Sequence, residues 1–154
     1  MKNTGSANIS SSKTQKIFHN MGVEDYRNIN IEIPAGSLIY LYGSVGMGKT
    51  TLSQILLGRF TGKQGVFTSP TYTYYNSYGD NIYHFDLYRL QNYEEFLMIG
   101  GEDILLNRST GYILVEWPEL IEKYISADIS LYIEVGDSHD TRNLRVEFTP
   151  QYLS

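Results

Sequence analysis

The stretch that decides the fold is Gly43-Ser44-Val45-Gly46-Met47-Gly48-Lys49-Thr50-Thr51. It matches the pattern G-x-x-x-x-G-K-[ST] of a phosphate-binding P-loop, which lies between a strand and a helix in the proteins that use it. Residues 38–42 form an apolar run that predicts a buried strand, and residues 52–57 repeat apolar side chains at helical spacing. The stretch therefore predicts a strand, a glycine loop and a helix in that order.

Each residue type in this stretch suits a polyphosphate ligand, and all nine residues are candidate nucleotide-binding residues. Glycines permit positive φ angles and leave no Cβ between the backbone amides and a bound phosphate. The first amides of the helix and the positive end of its dipole attract the same anion. We expect Lys49 to reach the β- and γ-phosphates and the Thr50 hydroxyl to bind Mg²⁺. The alternative is a glycine-rich surface turn that happens to contain a lysine.

The amino-acid composition favours some classes of protein and argues against others. A chain of 154 residues with 42% hydrophobic and 19% charged residues predicts one globular domain. The absence of cysteine excludes disulfides and thiolate sites, and no apolar run has the length of a membrane span, so we expect a cytoplasmic protein. The net charge is −5 and the basic residues are scattered, which argues against unaided binding of RNA or DNA.

The remaining sequence predicts an α/β, P-loop NTPase-like fold, with a mostly parallel central sheet, an antiparallel strand portion and flanking helices. Residues 1–12 predict a mobile tail, and residues 13–154 predict a single P-loop ATPase domain. The first part of that domain, residues 13–30, fits either a short helix or an irregular strand. The other predicted strands are 28–33, an antiparallel hairpin formed by 66–78 and 82–87, a buried parallel strand over 112–115, and strands over 129–135 and 143–148. Helices are predicted over 92–98, 102–106 and 119–124.

A P-loop requires an acidic partner for its Mg²⁺, and that partner normally ends an apolar strand beside the P-loop strand. Glu116 ends the run 112–115, and Asp86 lies near the end of the predicted strand 82–87. We assign Glu116 to the metal together with Thr50, and Asp86 to the attacking water or to the waters of the metal. The reverse assignment is open, as are a solvated strand-end carboxylate for Glu116 and a salt bridge from Asp86 to Arg89.

Three further features have two interpretations each. Ser69-Pro70-Thr71 follows the P-loop helix where switch segments occur, and its hydroxyls either sense the γ-phosphate or belong to an ordinary loop. His84 lies in an apolar strand, which favours a hydrogen-bonded core histidine over a catalyst. Trp117, the only tryptophan, either stacks on a base or a partner or packs in the core.

Four motifs occur in a fixed order: residues 43–51, then 69–73 (Ser-Pro-Thr-Tyr-Thr), then 84–90 (His-Phe-Asp-Leu-Tyr-Arg-Leu), then 115–119 (Val-Glu-Trp-Pro-Glu). Together they resemble TsaE, the family of the P-loop ATPase subunit of bacterial tRNA threonylcarbamoyladenosine biosynthesis. The resemblance covers residues 37–120. The sequence departs from the family pattern in two places. Ser44 stands where the family usually has Asp, and residues 13–30 stand where it usually has an amphipathic helix.

The resemblance implies an ATPase that uses ATP and Mg²⁺ and hydrolyses ATP slowly. Hydrolysis would turn over a complex of two sugar-kinase-like subunits that modifies adenosine 37 of tRNA, so that the chain meets tRNA only through this complex. The resemblance also implies functional roles for the matching residues, which are Lys49, Thr50, Thr51, Thr71, Asp86, Glu116 and Trp117.

Two other functions compete with this interpretation. One is a switch module that binds ATP and changes conformation without requiring hydrolysis. The other is a small-molecule kinase. The chain lacks an arginine-rich lid between its later strands, which argues against a kinase.

Overall fold

The computed structural model describes residues 8–11, 14–44, 48–63, 67, 70, 73–79, 81–108 and 111–149. Within these residues one mixed sheet has eight strands. The strands are β1 (Asn8–Ser11), β2 (Gln15–Met21), β3 (Leu38–Tyr42), β4 (Tyr75–Ser77), β5 (Ile82–Asp86), β6 (Tyr112–Glu116), β7 (Ile129–Val135) and β8 (Arg142–Phe148). The α-helices are α1 (Lys49–Thr61), α2 (Tyr93–Met98) and α3 (Gly101–Leu106), and 3-10 helices span Val23–Asn28 and Pro118–Leu120.

The strand order across the sheet is β1-β2-β8-β7-β3-β6-β5-β4. The four central strands, from β7 to β5, are parallel, whereas β1, β2 and β8 on one flank and β4 on the other are antiparallel to their neighbours. This topology confirms the predicted fold class, with the antiparallel portion divided between both flanks. Strand β6, which ends in Glu116, pairs directly with β3, as the acidic partner of a P-loop requires.

Burial on both faces explains why β3 is a continuous apolar run. Ile39 and Leu41 belong to the cluster beneath α1, which includes Leu52 and Leu56. Alternate side chains of the same strand, such as Leu38, join the cluster on the other face of the sheet, under α2 and α3. Complete burial of a leucine or isoleucine contributes about 2 kcal/mol, so this strand and α1 form a rigid base for the loop between them.

Two predictions for the N-terminal region are revised. The predicted tail over 1–12 is wrong for Asn8–Ser11, which pairs with β2 as an edge strand. Strand pairing uses backbone N–H and C=O groups, so a segment rich in Ser and Asn can form an edge strand with few apolar side chains. The rest of the predicted tail, residues 1–7 and 12, lies outside the described residues. The ambiguous segment 13–30 contains both β2 and the first 3-10 helix, separated at Gly22.

The predicted strand over 28–33 is also wrong, although its side-chain alternation is correct. Ile29 and Ile31 are buried while Asn30 and Glu32 are exposed, as for a half-buried extended chain. In the described part of the chain these residues form no strand and join no position of the sheet, in which β3 pairs with β6 and β7.

The predicted helix over 119–124 is replaced by the second 3-10 helix and the turns that follow it. Single i to i−4 hydrogen bonds join Glu122 to Pro118 and Ile125 to Ile121. The Tyr124 amide between them bonds instead to Ile121, three residues earlier, so the i to i−4 bonds are not consecutive and no continuous α-helix forms.

The other predicted elements are confirmed. Strands β4 and β5 form the antiparallel hairpin. Of the predicted strand over 66–78, β4 spans Tyr75–Ser77, and residues 66, 68, 69, 71 and 72 lie outside the described residues. Helix α2 begins after Asn92, whose side chain accepts a hydrogen bond from the Glu95 amide at 2.9 Å. No helix among the described residues is both long enough and apolar enough to cross a membrane.

Candidate functional site

Three neighbouring parallel strands end at one edge of the sheet, which we call the carboxyl edge. In the register of the sheet, Leu41 of β3 lies beside Glu116 of β6, and Glu116 lies beside Asp86 of β5. The loop from β3 to α1 begins at the same edge. In open α/β sheets ligands bind outside the carboxyl ends of the strands. The predicted P-loop and both predicted acids therefore meet where a ligand is expected.

The residue that precedes α1, Gly48, provides no side-chain cap for the helix. Gly48 precedes the helix with φ 98° and ψ 13°, a left-handed conformation that favours glycine. A Cβ at Gly48 would also lie only 3.1 Å from the Tyr26 hydroxyl. The first amides of a helix have no acceptor within the helix, and with the helix dipole they attract an anion. This end of α1 thus has the geometry of a phosphate site.

Lys49 is a buried lysine, only 7% exposed, whose Nζ has no hydrogen-bond partner in the described part of the chain. Its Nζ lies 3.6 Å from the centroid of the Trp117 ring. Burial lowers the pKa of Lys49, and the negative charges of Glu116 and Asp86 partly oppose that shift. A buried ammonium group that lacks an acceptor is costly. A phosphate bound at the end of α1 would supply the missing acceptors.

Gly43 makes room for this side chain. A Cβ at position 43 would lie 3.2 Å from Cγ of Lys49, which is closer than nine in ten contacts of real Cβ atoms. The first glycine of the loop therefore permits the stem of Lys49 to lie against the end of β3.

Trp117 is half-buried and directly follows β6. Its backbone has φ 57° and ψ 54°, a left-handed conformation that non-glycine residues seldom adopt and that occurs often at functional sites. Besides Lys49, its ring contacts the ring of Tyr88, with 4.8 Å between centroids. The tryptophan therefore packs partly in the core and partly forms the wall of the site beside the lysine.

Glu116 is the most buried carboxylate at the carboxyl edge, with 7% exposure. Its Oε2 accepts hydrogen bonds from Ser53 Oγ at 2.9 Å and from His84 Nε2 at 2.6 Å. Burial raises the pKa of Glu116, but these two hydrogen bonds and the charges of His84 and Lys49 outweigh it and lower the pKa below its usual range. The predicted solvent-exposed alternative for Glu116 is therefore excluded, and the side chain is held as a carboxylate.

The pKa of Asp86 is displaced in the opposite direction from that of Glu116. Its Oδ1 accepts a hydrogen bond from the Tyr88 amide at 3.0 Å. Burial raises the pKa of Asp86 and the neighbouring charge of Glu116 adds to the rise, against the lowering effects of the Tyr88 amide, His84 and Lys49. The two carboxylates thus have pKa values displaced in opposite directions.

The other predicted site residues are either exposed or outside the described part of the chain. Ser44, Thr50 and Thr51 are exposed, and both threonines lie in the first turn of α1, next to Lys49. Residues outside the described part of the chain are Val45, Gly46, Met47 and Thr71, together with Ser69 of the predicted switch segment.

Two residues of the site were missed by sequence reasoning. Ser53 lies four residues after Lys49, so helical spacing alone places the two on one face of α1, and this signal was available. Tyr26 comes from the first 3-10 helix and is 4% exposed, with a hydroxyl that has no hydrogen-bond partner in the described part of the chain. No local pattern brings Tyr26 to the end of α1, because its contact with Gly48 is made by the tertiary fold.

Tyr26→Phe is expected to raise the free energy of unfolding by about 1 kcal/mol, because it removes a buried hydroxyl that makes no hydrogen bond. The matched control is Tyr40→Phe, since the Tyr40 hydroxyl is equally buried but donates to the carbonyl of Ile125. We expect the control to lose about 1 kcal/mol. Urea denaturation measures both, and an equal loss in the two variants would contradict the assignment for Tyr26.

The carboxyl edge carries oxygen donors of the kind that a magnesium ion binds. Within the described residues no group of three or more His, Asp or Glu side chains is placed to hold a metal. Mg²⁺ retains several waters and is usually bound by one or two carboxylates together with substrate phosphates. Thr50, Asp86 and Glu116 supply a hydroxyl and two carboxylates, which are donors of the kind that such an ion binds.

The parallel centre of the sheet, the uncapped helix after β3 and the two strand-end acids define an α/β protein of the P-loop NTPase-like class. A family model described as threonylcarbamoyl adenosine biosynthesis protein TsaE matches residues 11–144. The chain belongs to the TsaE family.

Individual proteins agree with this membership. The chain is 41% identical over 113 residues to the tRNA threonylcarbamoyladenosine biosynthesis protein TsaE of Haemophilus influenzae, covering 71% of this chain and 68% of that protein. It is 36% identical over 101 residues to the protein of the same name from Borreliella burgdorferi, covering 62% and 70%. The crystal structure of YdiB from Bacillus subtilis superposes with a TM-score of 0.61 at 22% identity, over 94% of this chain and 90% of that one, which supports the fold.

Proposed function

We propose that the chain binds Mg·ATP at the carboxyl edge and hydrolyses it slowly, to drive turnover of the complex that installs threonylcarbamoyl on adenosine 37 of tRNA. Membership of the TsaE family and the names of the relatives support the pathway. The proposal that the chain binds a nucleotide rests mainly on the surroundings of Lys49. A buried ammonium group without an acceptor lies at the head of a helix, beside carboxylates from two neighbouring strands.

Phosphate binding is assigned to the backbone amides that begin α1 and to Lys49. These groups are positioned before the ligand arrives, so they stabilise charge on the transferred phosphoryl group without reorganisation. Thr50 and Glu116 would hold Mg²⁺, which when bound neutralises phosphate charge. The lowered pKa of Glu116 suits a permanent carboxylate ligand.

Asp86 is assigned to the attacking water, which it orients and polarises. Its raised pKa brings it nearer to the working pH than that of an ordinary carboxyl, which improves its ability to accept a proton. The opposite pKa displacements of Asp86 and Glu116 are the reason for this division of roles.

A groove of about 780 Å³ begins at Thr50 and Thr51 and follows the outer side of α1. Small-molecule sites have volumes of about 300–1,000 Å³. Arg27, Arg59 and Lys63 also line the groove, and none of its described lining residues is acidic. The groove therefore offers space and positive charge next to the proposed phosphate site, where the nucleoside half of ATP would lie.

The proposed partners are the two sugar-kinase-like subunits of the threonylcarbamoyl-transfer complex, and tRNA is reached only through them. The net charge of −5 supports this indirect contact, since unaided binding of nucleic acid depends on neutralising phosphates with basic side chains.

The test is to measure Mg·ATP binding by calorimetry and ATP hydrolysis with and without the partner complex. We expect binding by the chain alone, slow hydrolysis alone, and faster hydrolysis with the partners, accompanied by repeated cycles of tRNA modification. Absence of Mg·ATP binding at millimolar concentration contradicts the nucleotide site. Rapid hydrolysis that the partners do not change contradicts the coupled role.

A further inference from the structure

A buried polar triad surrounds the carboxylate of Glu116. His84 and Ser53 are each 1% exposed, and both bond to the same oxygen, Oε2. These are the two hydrogen bonds that the carboxylate of Glu116 accepts from described residues. Both donors therefore bond to one carboxylate oxygen, Oε2, and neither bonds to Oε1.

The direction of these bonds follows from the chemistry of the three groups. An ionised carboxylate has no proton to donate, so the Ser53 hydroxyl and the N–H at Nε2 of His84 are the donors. The Nδ1 atom of His84 is also buried and has no hydrogen-bond partner in the described part of the chain. Within the described residues the imidazole therefore makes one hydrogen bond, to Glu116. No other hydrogen bond there explains why a polar side chain occupies this buried position.

The two donors belong to the elements that carry the rest of the site. Ser53 lies on α1, one turn after Lys49, and His84 lies on β5, two residues before Asp86. Strand alternation places His84 and Asp86 on the same face of the sheet, beneath α1. A change in the position of either element would therefore move the carboxylate of Glu116.

We propose that His84 and Ser53 are positioning residues that orient Glu116 for the reaction, which is a role beyond that of a core histidine. This inference rests on the proposed function. By bonding to Oε2, the two donors restrict rotation of the carboxylate, and Oε1 would be the oxygen that binds the ligand. Residues that orient metal-binding carboxylates typically affect metal affinity or activity by 10- to 100-fold when they are replaced.

The experiment compares His84→Leu, His84→Gln and Ser53→Ala in the full-length chain. The amide nitrogen of glutamine can occupy the position of the histidine Nε2 and donate the same hydrogen bond, whereas leucine cannot. The matched control is Ser37→Ala, because Ser37 is also a fully buried serine, but its hydroxyl donates to Pro34 at the opposite edge of the sheet. ATP hydrolysis, the concentration of Mg²⁺ that gives half-maximal rate, and the unfolding temperature are measured for each variant.

We expect His84→Leu to lower kcat about 10- to 100-fold and to raise the Mg²⁺ requirement, with little change in KM for ATP. Ser53→Ala is expected to lower kcat about 2- to 10-fold, the effect of one hydrogen bond. His84→Gln should restore most of the activity lost in His84→Leu, and Ser37→Ala should leave kcat unchanged.

Two results overturn the proposal. In the first, folded His84→Leu and Ser53→Ala retain the kcat and the Mg²⁺ requirement of the wild-type chain. In the second, His84→Gln is folded but as inactive as His84→Leu, which indicates a packing role. A wild-type chain that neither binds nor hydrolyses ATP would instead overturn the proposed function, and this inference with it.

Discussion

Lys49→Met is expected to weaken Mg·ATP binding about 10- to 100-fold, because a hydrogen bond to a charged group contributes about 1.5–3 kcal/mol. Methionine retains the unbranched stem that packs beside Gly43 and loses only the ammonium group. The Nζ of Lys49 has no hydrogen-bond partner in the described structure, so no hydrogen bond is lost from the free protein. Loss of the contact with Trp117 is offset by removal of a buried charge. The free energy of unfolding should therefore change by less than about 1 kcal/mol.

The matched control is Lys123→Met. Lys123 is an exposed lysine whose Nζ also lies near an aromatic ring, 5.4 Å from the centroid of Tyr124. Calorimetry should show unchanged Mg·ATP affinity for this control. Equal affinities of Lys49→Met and the wild-type chain, with both folded, would mean that the buried lysine is structural and that the phosphate site is elsewhere.

Glu116→Gln is expected to lower ATP hydrolysis about 100- to 1,000-fold, because the carboxylate charge acts on the metal and on the reacting groups. The amide oxygen of glutamine can still accept hydrogen bonds from Ser53 and His84, so the fold should persist. ATP affinity is expected to change less than about 5-fold, since the amides of α1 and Lys49 remain. Single-turnover hydrolysis and calorimetry measure the two effects separately.

This substitution also separates the proposed ATPase from the switch module that the sequence left as an alternative. If Glu116→Gln binds ATP without cleaving it and tRNA modification still proceeds over many cycles, hydrolysis is unnecessary and the switch module is the correct function. If modification stops after one cycle, hydrolysis drives turnover. Glu119→Gln is the control, because Glu119 is an exposed acid three residues away whose charge also acts on Lys49. We expect it to keep hydrolysis within about 2-fold of the wild-type rate.

Sequence patterns succeeded where the interactions are local. The loop over 43–51 predicted both β3 and α1, and the apolar run over 112–115 predicted a parallel strand buried on both faces, which β6 is. Both depend on spacing within a few residues, where side-chain periodicity directly reflects which face is buried. The same local logic failed at 28–33, since alternation reports burial and contains no information about whether a strand partner is available.

The sequence by itself predicted the glycine loop between β3 and α1, the two strand-end acids at the same edge of the sheet and the resemblance to the TsaE family, because these depend on short motifs. Only the tertiary structure decided what surrounds Glu116. Ser53 is 63 residues away along the chain and His84 is 32 residues away, yet both bond to one oxygen. Strand order and register bring such distant residues together, and they result from the packing of the whole sheet, which no local pattern encodes.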